Sequence, residues 1–179
     1  MRMITSVSER GRSIATFRYI SVWMMETAAR WTPITPEMEA KVMMGRHIWE
    51  YAQMADALGK RTFELRLPEQ HSIPPIAAYD EFLKDVVKAS TTADRTASLY
   101  DGVIPGVIAR FKRYNAATDP ILDEPSIVIL QRNIGDLERQ RIDAAELQRE
   151  LKLNSSAAAA IAAREKSIAD IVAEEKVAA

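Results

Sequence analysis

Glu26, in Trp23-Met24-Met25-Glu26-Thr27, is an acid set among large apolar residues, and His47 and Glu50 stand three apart, a spacing that projects both from one face of a helix. Asp101 borders the apolar stripe from Tyr100 to Ile104, and Asp136 and Glu138 flank Leu137. Charged side chains on inward faces cost free energy unless they are paired or coordinate something. One acid from each of four helices, with an imidazole nearby, is an oxygen-rich ligand set suited to iron or manganese, and two such ions bridged by carboxylates activate dioxygen. Glu26, His47, Glu50, Asp101 and Glu138 are therefore the candidate metal ligands, with iron the expected ion. Each also has a plainer reading by itself. Glu26 suits an arginine-paired helix edge, His47 a hydrogen-bonded core histidine, and Asp136 and Glu138 a solvated face shared with Arg132, Arg139 or Arg141. Coincidence on several helices is what favours the metal.

These residues must be positioned by helices. Apolar residues recur at intervals of three and four, with little strict alternation. Prolines cluster at Pro33 and Pro36, at Pro68, Pro74 and Pro75, and at Pro120 and Pro125, and so punctuate the chain. The pattern predicts a first helix over 14–30 with Tyr19, Val22, Trp23 and Glu26 on its apolar face. A second follows to about Leu58, capped by Thr35 with Pro36 at its first position and ended or disturbed at Gly59. Its inward face reads Met43, His47, Glu50, Met54 and Leu58. The loop from Leu65 to Pro75 holds the other histidine, His71.

A shorter amphipathic helix over 76–89 turns Tyr79, Phe82, Leu83 and Val86 inward. Thr92 caps the next, over 93–118, which buries Tyr100, Ile104, Val107, Ile108 and Phe111 and is kinked or split at Pro105. The last long helix, from Asp123-Glu124-Pro125 to about Leu151, carries Ile127, Leu130, Ile134 and Leu137. Beyond Ser155 the chain is alanine-rich, fitting a surface helix with Ile161, Ile168 and Val172 on one stripe or a frayed tail. The expected fold class is all-α: an antiparallel four-helix bundle over 14–151, with a flexible leader at 1–13, an extra short helix, and a helical or disordered tail at 152–179.

At 179 residues the chain suits one such domain, and 47% hydrophobic with 27% charged residues is ordinary for a globular protein. The 24 basic and 25 acidic residues leave a net charge of -1, with no global field directing it to nucleic acid or an anionic membrane. The absence of cysteine excludes disulfides, thiolate metal sites and a cysteine nucleophile, and two histidines exclude a site built of many imidazoles. No Gly-x-Ser-x-Gly, P-loop or Gly-x-Gly-x-x-Gly occurs. The basic run Arg110, Lys112 and Arg113 reads as a solvated helix end more readily than as a phosphate contact. No apolar run is long enough for a membrane span, and charges interrupt every candidate signal sequence. The Arg- and Ser-rich start, with Arg2, Arg10 and Arg12, fits an organelle transit peptide but better suits the leader of a cytoplasmic protein, and the expected location is cytoplasmic.

The chain resembles the ferritin-like superfamily, which includes di-iron oxidases and oxygenases. The likeness rests on Glu26 in its Trp-Met-Met-Glu-Thr setting, and on the block from Gly45-Arg46-His47-Ile48-Trp49-Glu50-Tyr51 to Asp56. It is supported by Leu99-Tyr100-Asp101-Gly102 and by the helix from Asp123-Glu124-Pro125 to Asp136-Leu137-Glu138-Arg139-Gln140. The family's ligand set is a Glu on each of two helices and a Glu-x-x-His on each of the other two. Here Gln53 and Arg139 stand where the histidines would be, and Asp101 replaces a Glu. Two readings follow from the resemblance. In one, an altered site with Glu26, His47 and Glu50 at its centre binds iron and oxidises or oxygenates a small organic substrate. In the other, a metal-free helical module binds a protein partner or pairs as a homodimer, with its acids held by Arg46, Arg95 or other core cations. Met24, Met25, Met43, Met44 and Met54 suit an adaptable surface on that view. Carboxylates converging on His47 favour the enzyme, and carboxylates set against arginines favour the module.

Overall fold

The computed structural model describes residues 6–173, and among these it is helical with no strand. Helix α1 spans Val7–Trp31 and leads through a 3-10 turn, Thr32–Ile34, to α2, Met38–Glu64. Short α3 (Ala77–Val86) and α4 (Thr92–Thr96) precede a π-helical stretch, Ala97–Val103, which runs directly into α5, Ile104–Ala117. Helix α6 is Glu124–Glu150, and α7 is Ala157–Ser167.

Helix α1 starts seven residues earlier than its apolar pattern predicts. The Ser6 hydroxyl accepts the Glu9 amide at 3.1 Å while the Glu9 carboxylate accepts the Ser6 amide at 3.2 Å, a reciprocal capping box that starts the helix inside the expected leader. Arg10, Gly11 and Ser13 are buried there, and residues 1–5 of that leader lie outside the described residues. The inward face of α1 also differs from expectation. Ile14, Phe17, Ile20, Met24, Ala28 and Trp31 are buried, whereas Tyr19, Val22 and Trp23 are only half-buried. Glu26, two residues beyond Met24, lies about 200° round the helix and faces outward.

In α2, Gly59 does not end the helix. The side chains of Gln70 and Arg18 occupy the space its Cβ would fill, so this glycine is a notch that lets the 65–76 loop cross. The helix continues to Glu64 and begins at Met38, with Thr35 hydrogen-bonded back to the Trp31 carbonyl at 2.8 Å instead of capping α2.

Pro105 does not interrupt the helical run, and the turn before it takes an unexpected form. Lacking an N–H, it falls in the first turn of α5, and the preceding turn widens until the Ile104 amide reaches the Leu99 carbonyl five residues back.

The long helices enclose a core in which Met24, Tyr51, Leu58, Leu99, Phe111 and Leu137 are fully buried. Helix α2 packs between α1 and α6, α6 between α2 and α5, and Phe17 of α1 meets Phe111 of α5 with ring centres 4.9 Å apart. One end is fastened by Asp123, fully buried. It accepts hydrogen bonds from Arg61 at 2.9 Å, Tyr114 at 2.6 Å, Thr118 at 2.7 Å and Ser126 at 2.6 Å, tying α2, α5 and α6 together. Burial works against ionising this carboxyl, and the bonds from Ser126, Tyr114, Thr118 and Arg61 outweigh it and hold the pKa below the usual range.

The alanine-rich segment docks on the π stretch and α5. Ile161 sits over Gly102, and the Glu165 carboxylate takes the space a side chain at Gly106 would need. Arg110 is buried and not on a solvated turn. It holds Glu165 at 2.8 Å and donates to the carbonyls of Ile168 and Ala169, while Tyr79 donates its hydroxyl to Glu165 at 3.1 Å. Beyond α7, Ile171 is buried and its carbonyl accepts the Ile76 amide. Residues 174–179 of the expected tail lie outside the described residues.

Candidate functional site

Burial brings three of the five expected ligands to one region, the seam where α2 meets the π stretch and α6. His47 is fully buried, with Nδ1 2.8 Å from the Tyr100 hydroxyl and Nε2 3.4 Å from the Asp143 carboxylate. An ionised carboxylate only accepts, so Nε2 carries the proton and Nδ1 accepts from Tyr100. Burial lowers the His47 pKa, against the opposing pull of Asp143 and Glu50, and leaves the imidazole neutral near pH 7. Tyr51, fully buried, lies beside Tyr100 with its hydroxyl outside any aligned hydrogen bond. Desolvation drives both phenol pKa values well above the ordinary range.

Glu50 is engaged by two α6 side chains, accepting from the Gln140 amide at 2.7 Å and pairing with Arg139 at 3.1 Å. Beside it, Arg46 holds Asp143 at 2.6 Å. Asp101 accepts from Gln148 at 3.0 Å, and Arg141 donates to the Tyr100 carbonyl at 3.1 Å, securing the widened turn to α6.

The other two expected ligands lie elsewhere. Glu26 is exposed and pairs with Arg30 at 3.6 Å one turn along α1, and Glu138 is exposed and pairs with Lys112 at 2.7 Å. Among the described residues, no three His, Asp or Glu side chains are grouped to hold an ion. An iron pair needs several carboxylate oxygens and imidazoles free to converge on one point. Here the His47 nitrogens and the Glu50 and Asp101 carboxylates are already hydrogen-bonded to protein groups, so these residues do not fit the metal. The expected role of Arg95 also fails, because its guanidinium donates to the carbonyls of Ala89 and Ile34 and to the Thr35 hydroxyl.

Sequence reasoning missed Asp143, the acid that completes the seam. Its signal was the i, i+3 and i, i+4 polar line Asp136, Arg139, Gln140, Asp143 along α6, which faces Arg46, His47 and Glu50. The seam joins three elements through the buried His47, Tyr100 and Gln140 and the more exposed Arg46, Glu50, Arg139 and Asp143, and these pairings set the register of α2 against α6.

The chain matches no protein-family model, no curated protein and no solved structure.

Proposed function

We propose that the chain is an antiparallel four-helix bundle of ferritin-like type, without a di-iron centre, that works as a binding or assembly module. Supporting the architecture are four long helical stretches, a short turn after the first, and α2 and α6 running in opposite directions, with Arg46 beside Asp143 and Arg61 beside Asp123. The observation that carries the function is where the surface is apolar. Ten large apolar side chains are exposed among the described residues, and all except Val7 lie on α2, α6 or the turns leading into them. On α2 they are Met38, Val42, Trp49 and Phe63, and on α6 they are Val128 and Ile142. Ile34, Ile121 and Leu122 occupy the two turns. Scattered apolar residues need no explanation, but concentration on one helical layer marks a surface that something covers.

The absence of a metal centre is tested by anaerobic incubation with Fe(II), desalting and metal analysis. The module retains no stoichiometric iron. Stoichiometric iron that disappears in Glu50→Ala overturns the proposal.

A further inference from the structure

Resting on that reading, we infer that the partner covering the outer face of α2 and α6 is a second copy of this chain, packed face to face about a two-fold axis. The available area is right for it. Each helix has 27 residues, hence a length of about 40 Å, and two helices side by side at 8–10 Å spacing present roughly 700 Å². A standard interface takes about 800 Å² from each partner.

The distribution along the face also suits self-association. The Arg46–Asp143 contact sets Ile142 between the levels of Val42 and Trp49, and the Arg61–Ser126 contact sets Val128 within about one helical turn of Phe63. The layer thus has an apolar group toward each end and charged residues such as Asp56 and Arg132 between. A two-fold axis lying in the interface along the helices places α2 of one copy on α6 of the other and keeps every level. Trp49 and Val42 of one copy then meet Ile142 of the other, and Phe63 meets Val128. Asp56, which pairs with Lys60 in its own chain, falls level with Arg132 across the axis, so apolar groups face apolar groups and the carboxylate meets a second cation.

Two glycines fit the same contact. Gly45 and Gly135 lie on these outer stripes, and a Cβ on either would meet nothing within 4 Å. Nothing inside the monomer requires glycine there, and glycine in a helix interior is unfavourable, whereas bare backbone lets a facing helix approach closely.

The test is sedimentation velocity on the full chain from about 0.1 to 100 µM, a range that brackets a Kd near 1 µM. The wild type sediments as a dimer at the upper end. Trp49→Glu and Ile142→Glu, both at exposed positions, keep the far-UV spectrum and raise the dissociation constant by at least about 30-fold. Val7→Glu, at an exposed apolar site on α1 away from α2 and α6, dimerises as the wild type does. A wild type that stays monomeric at about 100 µM, or a dimer that survives both face variants, overturns the inference. An iron-free monomer overturns only the assignment of a second copy as partner, whereas stoichiometric iron overturns the binding-module reading whatever the association state.

Discussion

Replacing Gly106 by alanine should release α7 while leaving the long helices folded. On propensity alone the change is favourable, because alanine in a helix interior is better than glycine by about 1 kcal/mol. The local space reverses that sign. The new methyl would stand 1.8 to 2.1 Å from the Glu165 carboxyl atoms. Glu165 is long enough to swing aside, but it then loses Arg110 and the Tyr79 hydroxyl and leaves a buried guanidinium without its counter-charge. Breaking one side of a buried pair costs about 3 kcal/mol where a surface segment can relax around it. The net loss is about 2 kcal/mol of docking free energy, equivalent to roughly 30-fold more frequent opening. Hydrogen exchange reads this directly: the amides of α7 and the Ile76 amide, which is bonded to the Ile171 carbonyl, should exchange about 30-fold faster. Amides in the middle of α2 and α6 should keep their protection. Unchanged protection across α7, together with a higher melting temperature, would refute the argument that Glu165 occupies the Gly106 notch.

Gly135→Ala, where a Cβ meets nothing, should instead gain about 0.5–1 kcal/mol, raising the melting temperature of dilute protein by about 1–4 °C in calorimetry. Asp123→Ala should be among the costliest single changes, at about 3–5 kcal/mol in urea unfolding, because it takes from Arg61 its buried counter-charge, leaving only the exposed Glu64, and frees three buried hydroxyls at once. Tyr100→Phe removes the donor to His47 Nδ1 and should cost about 1–3 kcal/mol by the same measurement, with no change in helix content. The His47 pKa is lower in the folded state than the ordinary 6.5, so the unfolded chain binds its proton first as pH falls. Stability should therefore drop below pH 6.5 by up to about 1.4 kcal/mol per pH unit until the folded-state pKa is passed, and His47→Gln should remove this component.

Most helices were readable because their buried residues repeat with the helical period. Tyr79, Phe82, Leu83 and Val86 on α3, and Leu130, Ile134 and Leu137 on α6, are buried as their spacing requires. Helix α1 was misphased because Tyr19, Val22 and Trp23 make as good a stripe on paper as Ile20, Met24 and Ala28, and only the neighbouring helices decide between them. That error carried Glu26 inward. His47 and Glu50 do lie at the inner seam, but spacing within one helix cannot reveal that Gln140, Arg139 and Asp143 arrive from α6, far along the chain, to engage them. The notches at Gly59, Gly102 and Gly106 were hidden for the same reason, since a glycine's use is set by what approaches it.

The π turn ahead of Pro105 acts as a rotary joint between two halves of one continuous helical rod. Each residue of a regular helix advances the side-chain direction by 100°, so a turn that holds more than the usual number of residues offsets every upstream position against every downstream one. Upstream, Thr92 bonds Glu37 and Asp94 bonds Ser155, whereas downstream Arg110 turns to α7 and Tyr114 to the start of α6. A straight α-helix of the same length would present its two ends in a different relation and could not serve both sets of neighbours together. Irregularity at this one turn is what lets a single rod hold the tail, α6 and the opening of α2 in place at once.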